Sequence, residues 1–379
     1  MTRPPWHPED RRPPEYGRRK SEPPYTLTAG VGSGAVRHRV FDPALLHFHD
    51  AYRPADDVVG DPGLRDRWRT ARRAALELVL AAVAATPWAE SLVLRGSMLM
   101  SAWFGPAART PRDIDFVVVP DTWRIDDLRT RELLHDVAAA AERLALEGGT
   151  GLALPASGAV SEYIWTYDRV PGQRLVLPWT APGLPGGQVQ LDFVFQERLP
   201  VPAEPAEVAG VRIAAATREL SLAWKLLWIS CDIHPQGKDL YDAVLLAESC
   251  AMPLGLLETV LRTADEWPGS PDSPLGPGMF QSLPDEVDWS GFLRDHPDAE
   301  AAVQTLPGRL TAALAPVFER RTPRPRTGAS DGRQVLYRRG GPGDALMEGK
   351  ADGEAGGGVQ TAGGGGAAGR PPPPPPGET

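Results

Sequence analysis

The stretch LRGSMLMSAWFGPAARTPRDIDFVVV, from Leu94 to Val119, decides the fold. It reads as a buried strand, a Gly96-Ser97 turn, a short helix and a second strand opened by Asp113 and Asp115. Strand alternation puts Asp113, Asp115 and Val117 on one face and Ile114, Phe116 and Val118 on the other. Both carboxylates therefore point the same way. Two such groups at the edge of a core have a use as ligands of divalent cations in an oxygen-rich site, given a third acid from a neighbouring strand. Asp192, embedded in the apolar strand VQLDFVF, is the candidate. Without a partner its burial would cost several kcal/mol. The all-oxygen set, with none of the seven histidines in the motif, points to magnesium over zinc. His234, in a loop, is read as a surface residue.

Gly96-Ser97 stands where a strand meets a helix N-terminus, offering backbone N–H groups and a hydroxyl to a phosphate. The same pair is also an ordinary helix cap; the acids on the following strand favour the phosphate reading. Upstream, RDRWRTARRAALELVLAAVAA predicts an amphipathic helix over 64–85. Downstream, Trp123 to Glu147 predicts a long helix ending at Gly148-Gly149. Strands are expected at VSEYIWTYD, RLVLP, GQVQLDFVFQE and GVRIAA. From about residue 216 the pattern is helical only, through RELSLAWKLLWIS, KDLYDAVLLAES, PLGLLETVLRTAD and a last helix near 299–320. The class is α/β, followed by helices.

Lysine usage singles out one segment. The chain has 40 lysines and arginines, of which only Lys20, Lys225, Lys238 and Lys350 are lysine. Lys225 and Lys238 are the two outside the chain ends, and both fall in AWKLLWISCDIHPQGKDLYDAV. A compact ammonium there suits contact with a triphosphate. Lys225 lies on a mostly apolar helix, where an uncompensated charge would be costly. Lys238 and Asp242 are spaced for a simple surface ion pair, which is the structural alternative for Lys238. Trp224 and Trp228, one turn apart, read as core.

Composition bounds the rest. With 379 residues, 42% of them hydrophobic, the chain has material for a large core and a smaller one. A net charge of -9 provides no general basic field, so a nucleic-acid partner would have to meet a local patch. Cys231 and Cys250 are too few for a disulfide framework or a zinc site and are expected as thiols. The N-terminal stretch has no apolar leader-like region, and no run of about 18 apolar residues occurs. A cytoplasmic protein outside the membrane is expected. The 40 glycines and 41 prolines concentrate toward the ends, which are expected to be disordered over 1–40 and 321–379. Between them the expected domains are 41–215, carrying the acids, and 216–320, helical.

Taken together, Gly96-Ser97, a helix and Arg109-Thr-x-x-Asp113-Ile-Asp115 resemble the DNA polymerase β type nucleotidyltransferase superfamily. Lys225 and the block Lys238-Asp239-Leu-Tyr-Asp242 resemble its AbiEii toxin branch, over roughly residues 65 to 250. The resemblance implies a nucleotidyltransferase fold with a mixed sheet and a C-terminal helical domain. It implies Asp113, Asp115 and Asp192 as magnesium ligands, and an NTP seated between Gly96-Ser97 and Lys225. Arg109, Lys238 and Asp239 join the nucleotide site, and Lys225 and Asp242 join the three acids as catalytic positions. The implied activity is transfer of a nucleoside monophosphate to RNA, including transfer RNA 3′ ends, by a toxin restrained by an antitoxin protein. Arg95, Arg109, Arg112 and Arg218 are candidate RNA phosphate contacts. The gap from Ser97 to Asp113, with a Gly105-Pro106 turn, is longer than in the tightest versions of the motif. The alternatives are a small-molecule, aminoglycoside-type nucleotidyltransferase and a catalytically inactive nucleotide-binding module.

Overall fold

Asp61 caps the first long helix by accepting a hydrogen bond from Gly63 N at 2.7 Å. Pro62 follows at a position that needs no N–H. The helix, α1 (Pro62–Ala84), buries Trp68, Ala75, Leu76, Val79, Leu80 and Val83, the stripe that the 3.6-residue period predicts. The protein is seen here as a computed structural model, which describes residues 35–38, 54–165, 170–231, 235–264, 275–280 and 287–319. These belong to one compact unit within residues 1–322. Nearly all of the two expected disordered ends, and His234, lie outside the described residues.

The stripe of α1 rests on a seven-stranded mixed sheet. In chain order its strands are β3 (Leu92–Arg95), β4 (Asp113–Val118), β5 (Val160–Trp165), β6 (Pro171–Trp179), β7 (Gly187–Val194), β8 (Glu204–Val208) and β9 (Val211–Ala215). In space they run β5-β6-β7-β4-β3-β9-β8. The pairs β4 with β7 and β3 with β9 are parallel, and the other pairs are antiparallel. Ile114 and Phe116 are fully buried on the core face of β4, and Phe116 stacks on Phe193 of β7 at 5.6 Å. Burial of a ring of this kind is worth about 1.5–3 kcal/mol. A small separate ladder joins β1 (Ala35–Arg37) to β2 (Asp57–Val59), with Arg37 and Asp57 in a buried ion pair of 2.6 Å.

The short helix α2 (Ser97–Phe104) links β3 to β4, and Gly105–Ala107 form the extra turn expected there. The long helix α3 (Leu128–Gly148) begins five residues later than Trp123 and packs on α1. Asp127 stays extended ahead of it, and buried Trp123 donates from Nε1 to Thr130 Oγ1 at 2.9 Å, which keeps the preceding turn folded against the helix. At its other end Gly149 takes a left-handed φ of 58°, the usual glycine stop. The all-helical part comprises α4 (Arg218–Cys231), α5 (Gly237–Ser249), α6 (Leu254–Thr263), α7 (Ser290–Asp295), α8 (Glu300–Val303) and α9 (Leu306–Glu319). In it α4 packs on α5 and α6, and α5 on α9. Trp224 is buried, as expected of core. Cys231 and Cys250 are not joined in a disulfide, and burial pushes the Cys250 thiol up to about 11.

Candidate active site

The turn between β3 and α2 fits closely over β4. Gly96 has a φ of 79°, and a Cβ there would collide with Asp115 Oδ2, so the position demands glycine on two counts. Ser97 is fully buried and its Oγ lies 3.0 Å from Asp113 Oδ1 and 3.3 Å from the Asp113 carbonyl. The long gap between the two blocks therefore does not keep the turn away from the acids.

The register of the sheet lines up a row of charges. Glu162 of β5 stands opposite Arg174 of β6, Arg174 opposite Asp192 of β7, Asp192 opposite Asp115 of β4, and Asp115 opposite Arg95 of β3. Signs alternate along this row except at one junction, Asp192 beside Asp115, where like charges meet and Asp113 adds a third. Such neighbours are destabilising unless something cationic lies between them. Burial, then Asp113, then Asp192, push the Asp115 carboxyl up from 3.8 to about 7, against the pull of Arg95 and Lys225.

Asp192 does not face Asp115 unaccompanied. Arg174, 1% exposed, grips it through Nε to Oδ1 at 2.7 Å and through its terminal nitrogen to Oδ2 at 2.9 Å, and Gln190 Nε2 donates to Oδ2 at 3.1 Å. Among the described residues no group of three or more His, Cys, Asp or Glu side chains is arranged to hold a metal ion. The donor chemistry still fits one: Asp113 and Asp115 bring carboxylate oxygens and like charges together beside Gly96, where the Asp115 carboxylate takes the space a Cβ would fill.

The helices contribute a second cluster, fully paired. Lys225 of α4 lies 2.5 Å from Asp239 Oδ1 and 3.2 Å from Asp242 Oδ2. Arg109 donates to the Asp242 carboxylate at 3.0 and 3.2 Å. Asp242 is completely buried and Lys225 and Asp239 nearly so. Burial opposes both charges, yet Asp239 and Asp242 hold the Lys225 ammonium above its ordinary value, and Lys225 and Lys238 hold Asp239 below its own. Tyr241 OH donates to the Ala107 carbonyl at 2.7 Å and fixes α5 to the turn after α2. Asp242 is thus a buried hub joining Arg109 and Lys225, where the spacing had suggested a surface pair with Lys238.

Of the residues singled out in the sequence, the structure brings Gly96, Ser97, Asp113, Asp115 and Asp192 together on the sheet and Arg109, Lys225, Asp239 and Asp242 together beside them, while Lys238 lines an adjoining cavity. Sequence reasoning missed Arg174 and Glu162, whose signal was the same as that of Asp192: a charge inside an apolar strand. It also misplaced Arg95. That side chain is 4% exposed, held by Glu197 at 2.8 Å, and packed over Trp224 and Trp228, so it is not a surface contact for RNA. Arg218 packs over Trp103 and Phe104.

The mixed sheet, with a glycine-serine turn closed onto an acid pair, belongs to a nucleotidyltransferase. The chain belongs to the family of AbiEii nucleotidyl transferase toxins of type IV toxin–antitoxin systems, whose model matches residues 78–318. A search of curated proteins gives no match. Among solved structures, the chain is similar to MenT4, a nucleotidyltransferase toxin from Mycobacterium tuberculosis H37Rv, at 17% identity and a TM-score of 0.43, covering 66% of this chain and 82% of that one. An antigenic nucleotidyltransferase-like protein from Paracoccidioides brasiliensis matches at 16% identity and a TM-score of 0.28, over 63% of this chain and 93% of that one. No helix among the described residues is long and apolar enough to cross a membrane.

Proposed function

We propose that this toxin transfers a nucleoside monophosphate from an NTP to an RNA acceptor, with transfer RNA as the first candidate, and that magnesium is its ion. The observation that carries the reading is the single break in the charge row, where Asp115 meets Asp192 beside Asp113. Asp113 and Asp115 would hold the ion, with Asp192, kept in place by Arg174, as the third acid. Bound there, magnesium supplies charge neutralisation at the reacting phosphate.

The chain's own groups do the rest. The N-terminus of α2 and the Ser97 hydroxyl bind NTP phosphate, and Gly96 lets the backbone approach. Lys225, set by Asp239 and Asp242, presents positive charge toward the leaving pyrophosphate, and Arg109 is positioned by the same Asp242. In the reaction the acceptor hydroxyl gives up its proton, its oxygen bonds the α-phosphorus, and the α–β bridge breaks to release pyrophosphate. An antitoxin protein would restrain the activity, in the cytoplasm.

The test is incubation of the purified protein with magnesium, each α-labelled NTP in turn and total RNA, beside the Asp113→Ala/Asp115→Ala variant. Label in a small RNA, absent in the variant, is expected. Label on an aminoglycoside instead of RNA would move the acceptor to a small molecule, and no label on anything would leave a nucleotide-binding module.

A further inference from the structure

Next to the acid pair, on the side of the 109–113 segment, lies a cavity of about 260 Å³ bounded by α1, the N-terminus of α5 and α7. Its wall carries eight arginine and lysine side chains against five aspartates, in a chain whose net charge is -9. Positive charge is concentrated here against the trend of the whole sequence. The volume lies below the roughly 300 Å³ at which pockets begin to enclose whole small molecules. That size suits part of a larger ligand.

Arg72 gives the cavity its second mark. This arginine is 8% exposed, and one terminal nitrogen donates to the carbonyls of Ala55 and Arg112. Its Nε is buried with no hydrogen-bond partner. A buried guanidinium donor left without an acceptor costs about 1–3 kcal/mol and calls for a partner from outside the chain, water, ion or ligand. Around the same wall, Arg112 bridges Asp56 and Asp295, and Arg69 and Arg294 stand exposed. Gly96, Ser97 and Lys225 do not line it, whereas Lys238, read from the sequence as a nucleotide contact, does, so the cavity adjoins the proposed seat of the triphosphate. Asp113 and Arg109 do line it, so a ligand there reaches the acids.

We propose that this cavity is the acceptor site, in which Arg72, Arg69 and Arg294 bind backbone phosphates of the RNA strand whose end is modified. This rests on the reading of the protein as an RNA nucleotidyltransferase. Phosphate contacts fix the register of a strand without reading its bases. They would deliver the terminal hydroxyl to the acids, since Asp113 lines the same cavity.

Binding of a fluorescein-labelled transfer RNA pool to the full chain, between about 50 and 200 mM salt, tests it. Arg69→Gln/Arg294→Gln changes two exposed side chains and should leave the fold intact. It is expected to weaken RNA binding about tenfold and to lower the salt slope by about 2, with the affinity for a labelled NTP unchanged. Arg72→Lys keeps the charge but loses the fork, and should also weaken RNA binding. Unchanged RNA affinity and slope in the surface double variant would overturn the proposal. Equal loss of NTP affinity would overturn it too, by making the cavity a triphosphate site. If the wild-type protein transfers label to RNA while the double variant binds RNA normally, the acceptor site alone is wrong. If the wild type neither binds nor labels RNA, the RNA reading falls with it.

Discussion

Two charged clusters face each other across this site, and they are built on opposite principles. The helical cluster of Arg109, Lys225, Asp239 and Asp242 balances two cations against two carboxylates at 2.5 to 3.2 Å. The sheet row of Glu162, Arg174, Asp192, Asp115 and Arg95 is balanced everywhere except at the Asp115–Asp192 junction. The paired cluster holds shape. The unbalanced one holds negative charge in readiness, at a cost in stability.

The largest effect should come from breaking the balanced cluster. Asp242→Ala strands Arg109 and Lys225 without their shared partner, and a chemical denaturation curve should show a loss of about 3–5 kcal/mol. Lys225→Met leaves Asp239 without its cation and Asp242 with Arg109 alone, and should also destabilise, whereas Lys225→Arg should recover much of the stability but little of the transfer activity. Next in size is the sheet row. With Asp192 no longer gripped on both oxygens, Arg174→Gln should lower kcat more than it changes the KM for NTP. A KM effect alone would make the grip irrelevant to the acids.

Acidity separates the clusters more finely. In metal-free protein, Asp115 has a folded pKa of about 7 against 3.8 in the open chain, so the folded state holds the proton more tightly. That contribution favours the fold at low pH and is lost as pH rises from about 4 through 7. The stability of the wild type should therefore fall relative to that of Asp115→Asn over this interval, by up to about 4 kcal/mol at pH 8. Added magnesium should close the gap by stabilising only the wild type. The smallest effect expected is from Lys238→Ala, which lies half-buried at the cavity wall: near-normal stability with modestly weaker RNA binding.

Local pattern made much of this legible. The alternation of β4 gave the acid face, and the helical period gave α1 and the core of α4. Lysine scarcity in an arginine-rich chain led to the helical cluster, although it did not show that Lys225 and Asp242 are buried partners. What stayed hidden depends on register, which is set between strands far apart in sequence. Arg95 looked like a surface contact because its partner, Glu197, lies 102 residues away. Arg174 meets Asp192 only once β6 and β7 are paired. Strand β8 escaped notice because Pro205 and two glutamates suit the edge position it takes next to β9. The helix α7 and the basic cavity it helps to bound gave no periodic signal, since a six-residue helix is too short to show one.

The most direct test of the contrast is one substitution read twice: Asp115→Asn, measured for label transfer from an α-labelled NTP to RNA and for melting temperature at pH 8 without metal. A folded protein, at least as stable as the wild type and inactive in transfer, is the expected result. Retained transfer, or a drop in melting temperature as large as that of Asp242→Ala, would contradict the account by making Asp115 one more structural charge.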